Sequence, residues 1–224
     1  MQDNLGKILK VVGIIFMGLT GAMNLLGGIG TVCAAFLTEN FPSMMALWDY
    51  RWLYQSLMII SIFIGLGGIW VTICLTKGGE NVYRNALILL VTGTVVGAVH
   101  YYASMDLRGS AAPANMKLYI NIFTLLLFLA LKIPGISERV NFDRSADDTV
   151  GKMAGCLTAI MIGMLVISTS LWVGKSHVFE GVNWTHVLKE FLAGSGLASI
   201  GIGVGTMAAP AVKAVFVKRA TQAG

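Results

Sequence analysis

Charged residues are scarce in this chain. Only 12% of its 224 residues are Asp, Glu, Lys or Arg, about half the share of a soluble domain, while 56% are hydrophobic. So few ionic groups cannot coat a water-facing surface, and the mean hydropathy of +0.76 points the same way. A separate soluble domain is excluded on the same ground. Proline is limited to four residues, which leaves long helices uninterrupted. Cysteine is limited to Cys33, Cys74 and Cys156, with no CxxC or other metal spacing, so they read as inert buried thiols. No GxSxG elbow or Ser/His/Asp spacing supports nucleophilic catalysis. The net charge of +5 comes without a basic-aromatic patch, so nucleic acid is not an expected partner.

What the sequence has is apolar blocks of membrane-spanning length. They fall at about 11–36, 52–76, 84–104, 117–134, 152–173 and 190–209, each close to the roughly 20 residues that cross a bilayer core. The block from Val11 to Phe36 is too long for the h-region of a signal peptide and reads as a retained helix. The fold class expected is an all-α integral membrane protein: a single transmembrane domain over 1–224, with about six helices in a bundle.

The basic residues set an orientation. With the N-terminus inside, the inner segments hold 11 of the 16 Lys and Arg, and the outer ones hold Arg51, Arg108, Lys117, Lys175 and Lys189. The positive-inside rule then places both termini in the cytoplasm, in a cell (plasma or inner) membrane. Trp48, Tyr50, Trp52, Tyr101, Tyr102, Trp172 and Trp184 gather on the outer side, as interfacial aromatics do. Two outer segments read as short interfacial helices. In 40–51, Phe41, Met44, Met45 and Trp48 follow helical spacing; in the last outer loop, Asn183 caps a turn bearing Trp184, Val187, Leu188 and Phe191. Both are expected either to lie on the lipid surface or to roof a site.

Helix packing in lipid depends on close backbone approach, for which the 27 glycines are suited. The third block has Gly93-x3-Gly97 and the sixth Gly201-x3-Gly205. No Asp, Glu, Lys or Arg is expected at mid-membrane depth, which argues against a proton pump. One ionisable group lies within a span. His100 shares the face of Gly97 and Gly93, about one turn below the outer end of its helix.

A polar layer is expected around His100, with Asn121 and Thr124 in the fourth helix, Ser168, Thr169 and Ser170 in the fifth, and Thr31 in the first. It reads either as interhelical hydrogen bonding or as a small site for a quinone, lipid or porphyrin head. The candidate ligand-binding residues are His100, Gly97, Asn121, Thr124 and Tyr101. His177 and His186, with Glu180 or Glu190, are weak candidates for a metal, at a spacing that matches no signature. A bis-histidine haem needs ligands on facing helices, and only His100 qualifies. Neither quinone nor haem is indicated by a motif.

The functional expectation is a non-catalytic subunit of a larger membrane assembly, of redox or respiratory type, with partner subunits and lipid around it. The alternative is a small stand-alone transporter or channel for a neutral or lipidic substrate. A membrane enzyme acting on lipid or quinone through His100 is a further possibility.

Overall fold

The computed structural model describes residues 4–142, 148–173, 178–179 and 181–222. Six helices in it are long and apolar enough to cross a membrane: Asn4–Phe36, Met44–Lys77, Val82–Arg108, Ala114–Leu131, Thr149–Ile167 and Lys189–Ala209. The chain is a multi-pass membrane protein, and its described residues form a helical bundle apart from one antiparallel strand pair, β1 (Val178–Phe179) with β2 (Val182–Asn183).

The first span is two pieces, α1 (Asn4–Gly30) and α2 (Val32–Phe36). At the join, the Thr31 amide is shared between the carbonyls of Gly27 and Gly28, and the Thr31 hydroxyl also donates to Gly27 O at 2.6 Å. α1 is the hub. It packs on α3 (Arg51–Lys77), α5 (Ala114–Leu131) and α7 (Asp148–Ile167), and two thirds of its span is buried, against 11% for the last helix. Glycine makes the closest of these crossings possible. A Cβ on Gly21 would lie 2.9–3.0 Å from the α3 backbone at Gly68 and Ile69, and one on Gly65 would lie 2.6 Å from the amide of Leu25. Any side chain at either position would push α1 and α3 apart.

α4 (Val82–Arg108) contributes a single stripe to the bundle: Val82, Ala86, Leu90, Gly93, Gly97, His100 and Ser104 are buried at steps of three or four. Ile88, Val91, Val95, Val99 and Tyr102 are exposed on the other side, as a lipid-facing helix requires. α5 repeats the pattern with Ala114, Lys117, Leu118, Asn121, Thr124, Phe128 and Leu131. It stops at Leu131, and Gly135 then turns the chain at a φ of 85°, where a Cβ would be strained. The short α6 (Ser137–Val140) folds back so that Val140 and Phe142 join the core with Ile14, Met17, Leu90 and Phe128. Lys10, expected before the first span, is wholly buried within α1 and donates to the Asn141 carbonyl at 3.1 Å.

The last long helix, α10 (Lys189–Gln222), packs along α7. Their contact does not use the Gly201-x3-Gly205 pair picked out in the sequence, because both glycines face open space. It uses Gly196 and Gly203, whose Cβ positions would fall 2.7 Å from the carbonyls of Gly163 and Cys156. Ser199 adds a hydrogen bond to the Ala159 carbonyl at 2.8 Å.

Candidate functional site

The segment before α3 is not the α-helix expected for 40–51. It is 3-10 helix, Thr38–Asn40 followed by Pro42–Tyr50. The period shortens accordingly. Phe41, Met44 and Leu47 form the buried stripe at steps of three, while Met45 is exposed. That stripe packs on Ala34, Ala35 and Tyr54, so the segment closes over the end of the bundle. The second amphipathic segment is α9 (Trp184–Val187), capped as expected: Asn183 Oδ1 accepts from the Thr185 amide at 3.0 Å and its hydroxyl at 2.7 Å. Its stripe of Trp184, Val187, Leu188 and Phe191 is exposed.

Beneath these segments is a cavity of about 420 Å³. α1, α2, α4 and α5 wall one side of it, and α8 (Thr169–Val173), α9 and the start of α10 wall the other. Its lining is mostly apolar, from Met23, Leu26 and Phe41 to Trp172, Trp184 and Leu188. Thr31, Asn40, Thr169 and Thr185 are polar lining residues around it, and Tyr54, His100, Ser104, Arg108 and Lys117 bring further polar groups from α3, α4 and α5. A separate depression at Tyr102, Ala103, Met105 and Asp106 is a shallow feature of the outer face of α4.

Lys117 is where the structure departs most from the sequence reading. Its backbone lies in the first turn of α5, at the end of the bundle, but its side chain runs inward and is only 2% exposed. Nζ donates to Ser61 Oγ at 2.7 Å and lies 3.1 Å from His100 Nδ1. Ser61 is the eleventh residue of α3, about 15 Å along the helix from Arg51. A cationic group therefore does reach membrane depth, contrary to expectation. Gly27 leaves it room, since a Cβ there would sit 3.2 Å from Lys117 Cδ. An ammonium has donors only, so His100 Nδ1 accepts and the ring proton lies on Nε2.

His100 itself is 7% exposed and lies in the cavity wall. α4 continues to Arg108, so the histidine is two turns from the helix end rather than one. Among the described residues, no hydrogen-bond partner meets its Nε2. Its ring is edge-on to Tyr54, with centroids 5.5 Å apart at 81°, and Tyr54 Oη shares a hydrogen bond with Ser104 Oγ at 3.0 Å.

The other expected site residues support the cavity from behind. Asn121 is fully buried; it donates to the Lys117 carbonyl at 2.7 Å and exchanges two hydrogen bonds with Asn24, at 3.2 and 3.3 Å. Thr124 pairs with Thr20 at 2.7 Å. Gly97 receives Leu118, and Gly93 receives the Asn121 amide where a Cβ would collide with Oδ1. Tyr101 packs on Tyr102 and Tyr119 and is not in the cavity wall. The expected polar layer thus divides by partner. Ser168 and Thr169 bond the Leu165 carbonyl of α7 and Thr31 bonds the Gly27 carbonyl of α1, while Asn24, Asn121, Thr20 and Thr124 tie α1 to α5.

No group of three or more His, Cys, Asp or Glu able to hold a metal occurs among the described residues. His186 is exposed on α9, Glu190 is exposed on α10, and His177 and Glu180 lie outside the described residues. The cavity wall contains no Asp or Glu among the described residues. Two polar atoms of cavity-lining residues are buried without a hydrogen-bond partner among the described residues, Arg108 Nε and Trp172 Nε1.

Sequence reasoning missed Lys117, Ser61 and Arg108. Lys117, Asn121, Thr124 and Phe128 are spaced at i, i+4, i+7 and i+11, so the lysine shares the face of the two polar residues that were picked out. That spacing was the available signal. No family model, characterised protein or solved structure matches the chain.

Proposed function

We propose that the chain is a non-catalytic, multi-pass subunit of a cell-membrane assembly, with both termini in the cytoplasm, that holds an amphiphilic molecule in the cavity beside His100 and Lys117. The observation that carries the reading is the pairing of a 420 Å³ mostly apolar cavity with Lys117 and His100 in its wall, held by Ser61 behind them. Ligand sites are commonly of this volume, mostly apolar with a few convergent polar groups. A quinone or a lipid has this division into an apolar body and an oxygen-bearing head. A quinone as occupant would make the assembly a redox one.

The assembly part of the reading draws on α10. It is attached along α7 and exposes Gly194, Gly201 and Gly205 with no neighbour within 4 Å, so another transmembrane helix could approach its backbone closely. Extraction into lipid nanodiscs without detergent, followed by native mass spectrometry, tests both parts. Expected are co-purifying subunits and a retained amphiphile, with the amphiphile reduced in Ala34→Phe, which puts a ring into the cavity. A lone chain carrying no bound amphiphile would overturn the proposal.

A further inference from the structure

Among the described residues, the cavity wall has cations and no counter-ion. Arg108 is ionised at any physiological pH. Its Nη2 donates to the Ala112 carbonyl at 3.2 Å, while its Nε is buried with no acceptor. Lys117 has three donors, of which the described residues meet two, at Ser61 and His100. Neither cation pairs with a carboxylate among the described residues. The first turn of α5, with Ala112, Pro113 and Ala114 in the same wall, adds the positive end of a helix dipole. Lys117 is buried in this wall within the spans, where uncompensated charge is costly and marks functional sites, while Arg108 is partly exposed at the end of α4. Trp172 Nε1 supplies one more buried donor without an acceptor. The unmet buried atoms recorded on cavity-lining residues, Arg108 Nε and Trp172 Nε1, are therefore both donors, and the fixed charge among the described lining residues is positive.

We infer that the occupant is an amphiphile with an anionic oxygen head, a carboxylate or a phosphate, seated on Lys117 and Arg108 with its hydrocarbon body between Met23, Leu26, Trp172 and Leu188. This rests on the amphiphile-binding reading above and narrows it. A neutral quinone head would accept hydrogen bonds from the same donors but would leave their charge uncompensated. Both heads would receive charge-assisted hydrogen bonds from these cations, but only an anionic head adds ion–ion attraction, so it should bind about tenfold tighter or better than a neutral head on the same chain.

Trp172 and Trp184 line the cavity and serve as reporters. The full chain bearing Trp48→Phe, Trp52→Phe and Trp70→Phe is placed in nanodiscs of bromine-free lipid. It is titrated with a chain-brominated fatty acid, the matching alkyl phosphate and the matching alcohol, at a pH where both acids are ionised. Expected is saturable quenching by the acid, the phosphate or both, at about a tenth of the alcohol concentration or less. Lys117→Gln and Arg108→Gln should each reduce that preference, and either variant suffices if the other does not fold. A carboxylate site ranks the acid first and a phosphate site ranks the phosphate first.

Equal binding of acid, phosphate and alcohol would overturn the anionic head while leaving amphiphile binding intact. So would a preference unchanged in the folded variants. Displacement by acetate or inorganic phosphate at concentrations comparable to the chain-bearing probes would mean a free-ion site and overturn the amphiphile. Absence of saturable quenching by all three would overturn both readings.

Discussion

At the scale of single residues, the site depends on absent side chains as much as on present ones. Gly93 has no Cβ, and the Asn121 amide occupies that space, where it meets Asn24. Gly93→Ala should therefore cost about 1–3 kcal/mol by overpacking. Adding Asn121→Ala should recover part of that loss, because the second change removes the atom with which the new methyl collides. A double-mutant cycle on unfolding in detergent measures the coupling. Strictly additive losses would show that the two positions are not in contact. This pair was partly legible in the sequence, where Gly93, Gly97 and His100 share a face and Asn121 is polar within an apolar run. Lys117 was not, because a lysine at the mouth of a helix reads as an end anchor whose amine points to water. Its stem instead follows the gap left by Gly27, and its amine finds Ser61 and His100. The spacing puts Lys117 on the buried face of α5, but the contacts that turn its amine inward lie on two other helices.

Whole elements were legible to different degrees for one physical reason. In lipid, the face of a helix that meets another helix need be no more apolar than the face that meets hydrocarbon. Long apolar runs therefore reveal that helices exist without revealing which side packs. In α4 and α5 the polar and small residues marked the buried side; in α10 glycines fall on both sides and the sequence pair Gly201-x3-Gly205 pointed outward. The segment Pro42–Tyr50 shows a related difficulty. Its apolar residues fit a period of 3.6 as Phe41, Met44, Met45 and Trp48, but the chain winds at 3.0 and buries Phe41, Met44 and Leu47. The α10 assignment is open to a direct test. Cys156 is buried, and its carbonyl lies against Gly203. In a background of Cys33→Ala and Cys74→Ala, Gly203→Leu should force α10 off α7 and raise the maleimide reactivity of Cys156 several-fold. Gly201→Leu, on the open face, should leave it unchanged. Equal reactivity in the two variants would place the helix contact elsewhere.

At the scale of the molecule, the two ends of the bundle differ in kind. One end is plugged: Val140, Phe142 and the buried Lys10 close it against the main core, with Tyr83 donating from its hydroxyl to the Phe128 carbonyl. The other end contains the cavity and is roofed by 3-10 helix on one side and α9 on the other. The orientation proposed from the basic residues sets this roofed end outward, so a ligand would enter from the outer leaflet or the outer aqueous face. Two connections test that orientation: Glu80 is exposed in the turn between α3 and α4, and Ser110 in the turn between α4 and α5. In a chain with Cys33, Cys74 and Cys156 replaced by alanine, Ser110→Cys should react with a membrane-impermeant maleimide on intact cells. Glu80→Cys should react only once the membrane is permeabilised. The opposite pattern would invert the bundle, turn the cavity toward the cytoplasm and make a cytoplasmic amphiphile its occupant. Reaction of both on intact cells would mean that α4 does not cross the membrane, and His100 would then lose the membrane depth on which the ligand proposal depends.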